Sequence, residues 1–297
     1  MKFSDYTCLT VRSQPTPALQ EIANCYATIK IDRVRIPLFH VNAFTEQPFL
    51  GNPAAVCFLG SWLDEDRLRK VAAENNLSAT AFLVPARAGY EMRWFTPRCE
   101  VKLCGHATLA SAHVLLNLRQ SQIDSVTFET RFQGAITVRK DGQFLTMDFP
   151  AMPPKPCVTF PTGPIEALGL QSQPTEILEA NDTYILVLDC VETVRNLRPN
   201  FAILESFHPF VVAITAHATN VDFVSRYFAP SYGIPEDPVT GSAHCVLAPY
   251  WAKRLGKSSL HAHQLSKRGG ELWCEVAGDR VLLKGKAVVT LEGSLSI

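Results

Sequence analysis

The sequence predicts an α+β protein of two similar lobes, each a mostly antiparallel sheet or barrel wrapped around one central helix. Three observations carry that expectation. Short β-type runs dominate from Ile36 onward, two segments are apolar on nearly every side, and each of these opens with a glycine-containing turn, Cys104-Gly105-His106-Ala107-Thr108 and Thr240-Gly241-Ser242-Ala243-His244. A helix that is apolar all round belongs inside a protein, and its small residues let strands approach closely.

Residues 1–33 show no clear period, are broken by Pro15 and Pro17, and read as an N-terminal extension. Strands are expected over 36–44 and, after the turn signal Gly51-Asn52-Pro53, over 54–59. Asp64 is placed to cap a helix with acids in its first turn, Leu63 to staple onto Leu68, and Leu68, Val71 and Ala72 to form the buried stripe. Strands follow over 81–84 and 90–95, then the buried helix over 106–118, then strands over 126–130, 135–139 and 144–149. The proline run from Pro150 to Pro156 is too stiff to sustain a ladder and marks the boundary between lobes 34–149 and 150–297. Strands over 184–188, 210–214 and 222–228 follow it. A second buried helix over 242–255 closes at Gly256, with Lys253 and Arg254 suiting its negative end.

Composition narrows the function. With 297 residues the chain suits two ordinary domains. Lys plus Arg equals Asp plus Glu at 28 each, so no global field draws nucleic acid or anionic membrane, and small neutral or amphoteric partners fit better. Nine scattered cysteines lack a disulfide framework and point to a reducing, cytoplasmic compartment. No apolar run reaches the length of a membrane span, and the first residues do not form a signal peptide. No glycine-rich phosphate loop appears. His261 and His263 alternate on one face of an expected strand, but no carboxylate or cysteine stands at a ligand-like spacing in the sequence, so no metal is expected there. Cys99, Cys104 and His106 likewise miss the spacing of a zinc knuckle.

Two helix mouths with free N–H groups would clamp a carboxylate, and stabilise an enolate, if they faced each other. Gly105 and Gly241 are expected to permit close backbone approach. Cys104 sits where the helix dipole favours a thiolate. His106 stands at the same helix mouth, open to a ligand or to a buried carbonyl; Asp237 precedes a proline as a turn or cap residue, and Ser242 is a first-turn helix residue that either belongs to the helix alone or meets a ligand.

The motifs Asn42-Ala43-Phe44, Gly51 to Val56, Glu74 to Ser78, Phe95-Thr96-Pro97, Cys104 to Thr108 and Glu236 to Ala243 occur in the order and approximate spacing of the phenazine-biosynthesis-like (PhzF) family. From about residue 36 onward the chain therefore resembles that family, whose fold is that of diaminopimelate epimerase. The resemblance implies an isomerase without metal or organic cofactor, often a homodimer, whose lobes close on a small carboxylate and move a proton at carbon. It implies site roles for His106 and Asp237, and for Ser78, Gly105, Gly241 and Ser242 around the ligand. The family's usual proton carrier is a glutamate directly after the Asn-Leu-Ser motif; here that position is Ala79, and a methyl group takes no proton. Three readings stay open: a catalytically silent chain that binds only, Cys104 as the base, or His106 or Asp237 acting alone. Racemases of the same fold carry a cysteine at the position of Cys104, but their second cysteine falls at Thr240, which disfavours a two-cysteine mechanism.

Overall fold

The computed structural model describes residues 34–161 and 163–297, so the extension over 1–33 lies outside the described residues. The chain from Ile36 to Leu295 is one compact unit, and each half of it follows the same plan.

In the first half, β1 (Arg35–Ala43) pairs antiparallel with β2 (Asn52–Phe58). Gly51 makes the turn at φ 67, and a Cβ there would lie 2.3 Å from the Ala43 carbonyl oxygen, so only glycine fits. Helix α1 (Glu65–Asn75) crosses to β3 (Ala79–Ala86), parallel to β2. Asp64 caps it by accepting from the Arg67 N–H at 2.9 Å, and Leu68, Val71 and Ala72 are its buried face, as the sequence predicts. β4 (Gly89–Phe95) returns antiparallel and carries the short β5 (Glu100–Val101). Helix α2 (Gly105–His113), extended by a π-helical turn Val114–Arg119, then crosses to β6 (Ser125–Thr130), parallel to β4. β7 (Gly134–Asp141) and β8 (Phe144–Pro150) complete the half as an antiparallel meander. Residues 106–112 of α2 are all buried, and Thr108 and Ser111 satisfy their hydroxyls on the carbonyls of Cys104 and Ala107. Leu118, expected inside, is exposed near the end of the π-helical turn.

The second half repeats this. A two-residue strand β9 (Lys155–Pro156) and helix α3 (Gly163–Leu168) lead to β10 (Glu176–Ala180) and β11 (Thr183–Val187), an antiparallel pair. Helices α4 (Val191–Asn196) and α5 (Phe201–Glu205) cross to β12 (Val211–His217), parallel to β11. β13 (Phe223–Ala229) returns antiparallel and carries the short β14 (Ile234–Asp237). Helix α6 (Gly241–Leu255) crosses to β15 (Ser259–Gln264), parallel to β13, and β16 (Gly270–Ala277) and β17 (Arg280–Gly285) form the closing meander before β18 (Ala287–Ser296). Gly256 ends α6 at φ 67, as expected.

The halves are joined rather than strung apart. β8 of the first pairs with β17 of the second, and one apolar cluster reaches from Phe39 through Leu109 and Leu115 to Val246, Trp251 and Leu283. A second cluster lies under α3 to α5, around Leu186, Val194, Ile214 and Phe228. The proline run does enter ladders, contrary to expectation. Pro150 stands opposite Arg280 and Pro156 opposite Leu178, at strand ends where few bonds are forfeited. The Met152 N–H between them donates to the Cys245 carbonyl at 2.9 Å, which Pro249, lacking an N–H four residues on, leaves unserved within α6. Among the described residues no helix is long and apolar enough to cross a membrane.

Candidate active site

The repeat explains why a site forms where it does. In each half an arginine on the strand before the buried helix grips a glutamate on the short strand that follows. Arg93 on β4 holds Glu100 on β5 at 2.7 and 2.6 Å, and Arg226 on β13 holds Glu236 on β14 at 2.7 and 3.0 Å. Five residues beyond each glutamate comes the glycine that opens the buried helix, Gly105 and Gly241. Two equal scaffolds thus bring two equal helix mouths together: a Cβ built on Gly105 would lie 3.8 Å from the Gly241 Cα, with no other protein atom nearer. That spacing is ordinary van der Waals contact, so protein packing does not itself demand glycine here; what the missing side chains allow is the close approach of the two mouths. The first internal bonds of the helices run from the Thr108 N–H to the Cys104 oxygen and from the His244 N–H to the Thr240 oxygen. The N–H groups of 105–107 and 241–243 therefore lie ahead of both ladders.

A cleft of about 340 Å³ opens at this junction. It brings together every site residue that the sequence singles out: Ser78, Ala79, Cys104, Gly105, His106, Asp237, Gly241 and Ser242. Equivalent positions of the two halves face each other across it. Ala79 and Val211 start β3 and β12, and Cys104 and Thr240 precede the two helices. Asp237 breaks the symmetry, since its counterpart on β5 is Val101. Only one half supplies a carboxylate at this height.

A hydrogen-bond network fixes these groups. The Asn52 Nδ2 donates to Asp237 Oδ1 and to the Val239 carbonyl, each at 2.8 Å, and the Thr240 hydroxyl donates to Asp237 Oδ2 at 2.6 Å. Gln264 donates to the Asp237 carbonyl at 2.7 Å and accepts from the Thr240 N–H at 2.9 Å. The Ser78 oxygen lies 2.6 Å from both Asn52 Oδ1 and the Pro53 carbonyl, acceptors that can share only its one proton. Towards His106 Nε2, 3.3 Å away, the hydroxyl is therefore an acceptor, which puts the imidazole proton on Nε2 and leaves Nδ1 to face the Cys104 thiol at 3.5 Å.

Burial sets the charges. It holds His106 down to about 3, so the ring is neutral. It pushes the Cys104 thiol up to about 12, with the Asp237 charge adding to the effect and the Ala107 N–H opposing it. The expectation of a dipole-stabilised thiolate is thus corrected: one backbone N–H does not offset the loss of water around sulfur. Burial also raises Asp237 to about 6, against hydrogen bonds from Thr240 and Asn52 that lower it. Among the groups that the sequence proposes as bases, Asp237 alone titrates close to neutrality. Tyr227, pushed up to about 12 by burial, faces the cleft as a phenol.

Asn52, Thr240, Gln264 and Tyr227 carry no chemical signature of their own, and reasoning from the sequence assigned none of them a place in this network. The Gly51-Asn52-Pro53 segment is a signal for Asn52, since it serves in the sequence both as a turn and within a family motif, though neither gives Asn52 a role of its own. One further reading is corrected here. Glu271, on the strand beside His261 and His263, stands opposite His263 in register, so a carboxylate does accompany the two histidines.

Comparison with known proteins agrees with this architecture. The family profile described as phenazine biosynthesis-like protein (PhzC-PhzF) matches residues 41–293. An uncharacterized isomerase of Pseudomonas aeruginosa is 49% identical over 264 residues, covering 89% of this chain and all of that protein. A human phenazine biosynthesis-like domain-containing protein is 38% identical, with 89% and 100% covered. A crystal structure of a PhzF-family protein from Enterococcus faecalis superposes with a TM-score of 0.84 at 41% identity, covering 89% of this chain and all of that one. A hydroxyproline epimerase from Agrobacterium vitis shares the fold alone, with a TM-score of 0.58 at 12% identity and coverage of 89% and 93%.

Proposed function

The chain belongs to the phenazine biosynthesis-like (PhzC-PhzF) family, and from that premise we propose that it is a cofactor-independent isomerase or epimerase acting on a small carboxylic acid with an acidic C–H. The substrate carboxylate sits between the N–H groups of residues 105–107 and 241–243. Asp237, ionised, takes the proton from the carbon next to the carboxylate, and the electron pair moves onto the carboxylate oxygens as an enolate that both helix mouths stabilise. The protonated Asp237 then returns the proton to a different carbon or face. His106, neutral, donates from Nε2 to Ser78 and holds the floor of the cleft, while Ser242 contacts the ligand from the opposite mouth. The observation that carries this reading is the juxtaposition of Gly105 and Gly241 beside a carboxyl that titrates near 6.

A second reading has its own observation. Ala79 lines the cleft at the position of the family's usual glutamate, and without that group the chain binds an acid and does not turn it over. Solvent deuterium incorporation into a panel of small amino and hydroxy acids separates the two. The isomerase reading expects exchange that survives Cys104→Ala and is lost in Asp237→Asn. Exchange lost with Cys104→Ala would make the thiol the base instead. Exchange that appears only with Ala79→Glu would establish the silent binder.

A further inference from the structure

On β15, with side chains outside the lining of the cleft, His261 and His263 alternate with the buried Leu260, Ala262 and Gln264. The neighbouring strand β16 runs antiparallel and sets Glu271 opposite His263 and Trp273 opposite His261. Both imidazole Nε2 atoms converge on one oxygen of Glu271, at 3.2 Å from His261 and 3.3 Å from His263. All three donor atoms lie within 4.8 Å of one another.

We propose that His261, His263 and Glu271 form a binding site for a zinc-like divalent cation, separate from the cleft. Metal bonds of ~2.0–2.1 Å in a tetrahedral arrangement set neighbouring ligand atoms about 3.3–3.4 Å apart, which is the spacing that both histidines already keep from the carboxylate. Two imidazoles and one carboxylate are the donor set that borderline metals favour, whereas magnesium and calcium prefer oxygen alone. The His261 ring is held in place before any metal arrives, stacked on Trp273 with centroids 4.6 Å apart and planes 6° from parallel, while Asp222 accepts from its backbone N–H at 2.7 Å. All three ligands are about one-third to two-fifths exposed, so the cation enters from solvent and water takes the fourth position. Each ring would carry its proton on Nδ1 and offer the Nε2 lone pair. The cation would then strap β15 to β16, and the next residue of β15, Gln264, faces inward to hold the Asp237 carbonyl and Thr240.

The test is equilibrium dialysis of the full chain against micromolar Zn²⁺ with metal analysis, beside thermal unfolding with Zn²⁺, Mg²⁺ or EDTA. The site predicts one zinc equivalent per chain, a higher Tm with Zn²⁺ and none with Mg²⁺. It predicts loss of both effects in His263→Gln and in Glu271→Gln, whose Tm in EDTA matches the parent because these side chains are part-exposed. No zinc bound, or a full equivalent retained in both variants, would overturn the proposal. So would a thiolate charge-transfer band on loading with Co²⁺, since that places the metal on cysteine.

Discussion

Asp237 is where sequence and environment combine most tightly. Buried and facing only neutral donors, it keeps its proton up to about pH 6, where the unfolded chain has released it from about 3.8. The folded state therefore binds more protons across that window, and this residue's contribution to stability falls as pH rises through it. The difference amounts to something on the order of 3 kcal/mol. Asn at 237 keeps the shape, accepting from Asn52 and donating to Thr240, whose hydroxyl turns to receive it. Asp237→Asn is thus expected to match the parent in urea unfolding at pH 4 and to exceed it at pH 7; equal midpoints at both values would refute the buried-acid assignment. The candidate residues themselves were legible because each lies in a motif of distinctive order. Their charge states were not. The helix-dipole argument for Cys104 concerns one interaction, and burial, which outweighs it, is a property of the assembled cleft.

At the scale of elements, the helices were the easiest to read. The Asp64 cap, the buried first turns of α2 and the Gly256 stop of α6 each follow from local chemistry. Short elements such as β9, β14, α4 and α5 were missed because two to six residues without an apolar run like that of β11 give no period to detect. The hairpin of β13 and β14 shows what such an element contributes. Arg226 donates two bonds to Glu236 and two more to the carbonyls of Val194 and Leu197, so it ties the strand bearing Asp237 to the crossover helices. Arg226→Ala strips partners from a part-buried glutamate and two carbonyls, and chemical denaturation should show a loss of about 3 kcal/mol. The helix mouths call for a different experiment. A methyl at Gly105 meets only ordinary contacts, so Gly105→Ala should alter stability by less than about 1 kcal/mol. It crowds the N–H groups where the mouths meet, however, and carboxylate affinity measured by calorimetry should fall roughly tenfold or more, the worth of one lost charge-assisted bond. A binding constant unchanged by that methyl would remove the ligand from between the helices.

For the whole molecule, the duplication suggested by two similar glycine turns extends to strand pairing, crossovers and a repeated arginine–glutamate grip. That grip was illegible in the sequence because its partners meet across strands. The proline run marks the expected boundary between the lobes, and across it β8 pairs with β17 and one apolar cluster spans both halves. Calorimetry should accordingly record one cooperative unfolding transition for residues 36–295, and two resolved transitions would show that the halves fold separately. Internal symmetry also explains the choice of site: similar halves bring two helix N-termini to one point, and Asp237, which has Val101 as its counterpart, gives that point its carboxylate. The most direct test of this account is ligand-detected NMR of small carboxylic acids paired with their primary amides, at fixed pH and low salt. If opposed helix mouths hold the anion, acids bind at the cleft, their amides do not, and Gly105→Ala suppresses the acid signal; amides binding as well as acids, or acids indifferent to that substitution, would contradict it.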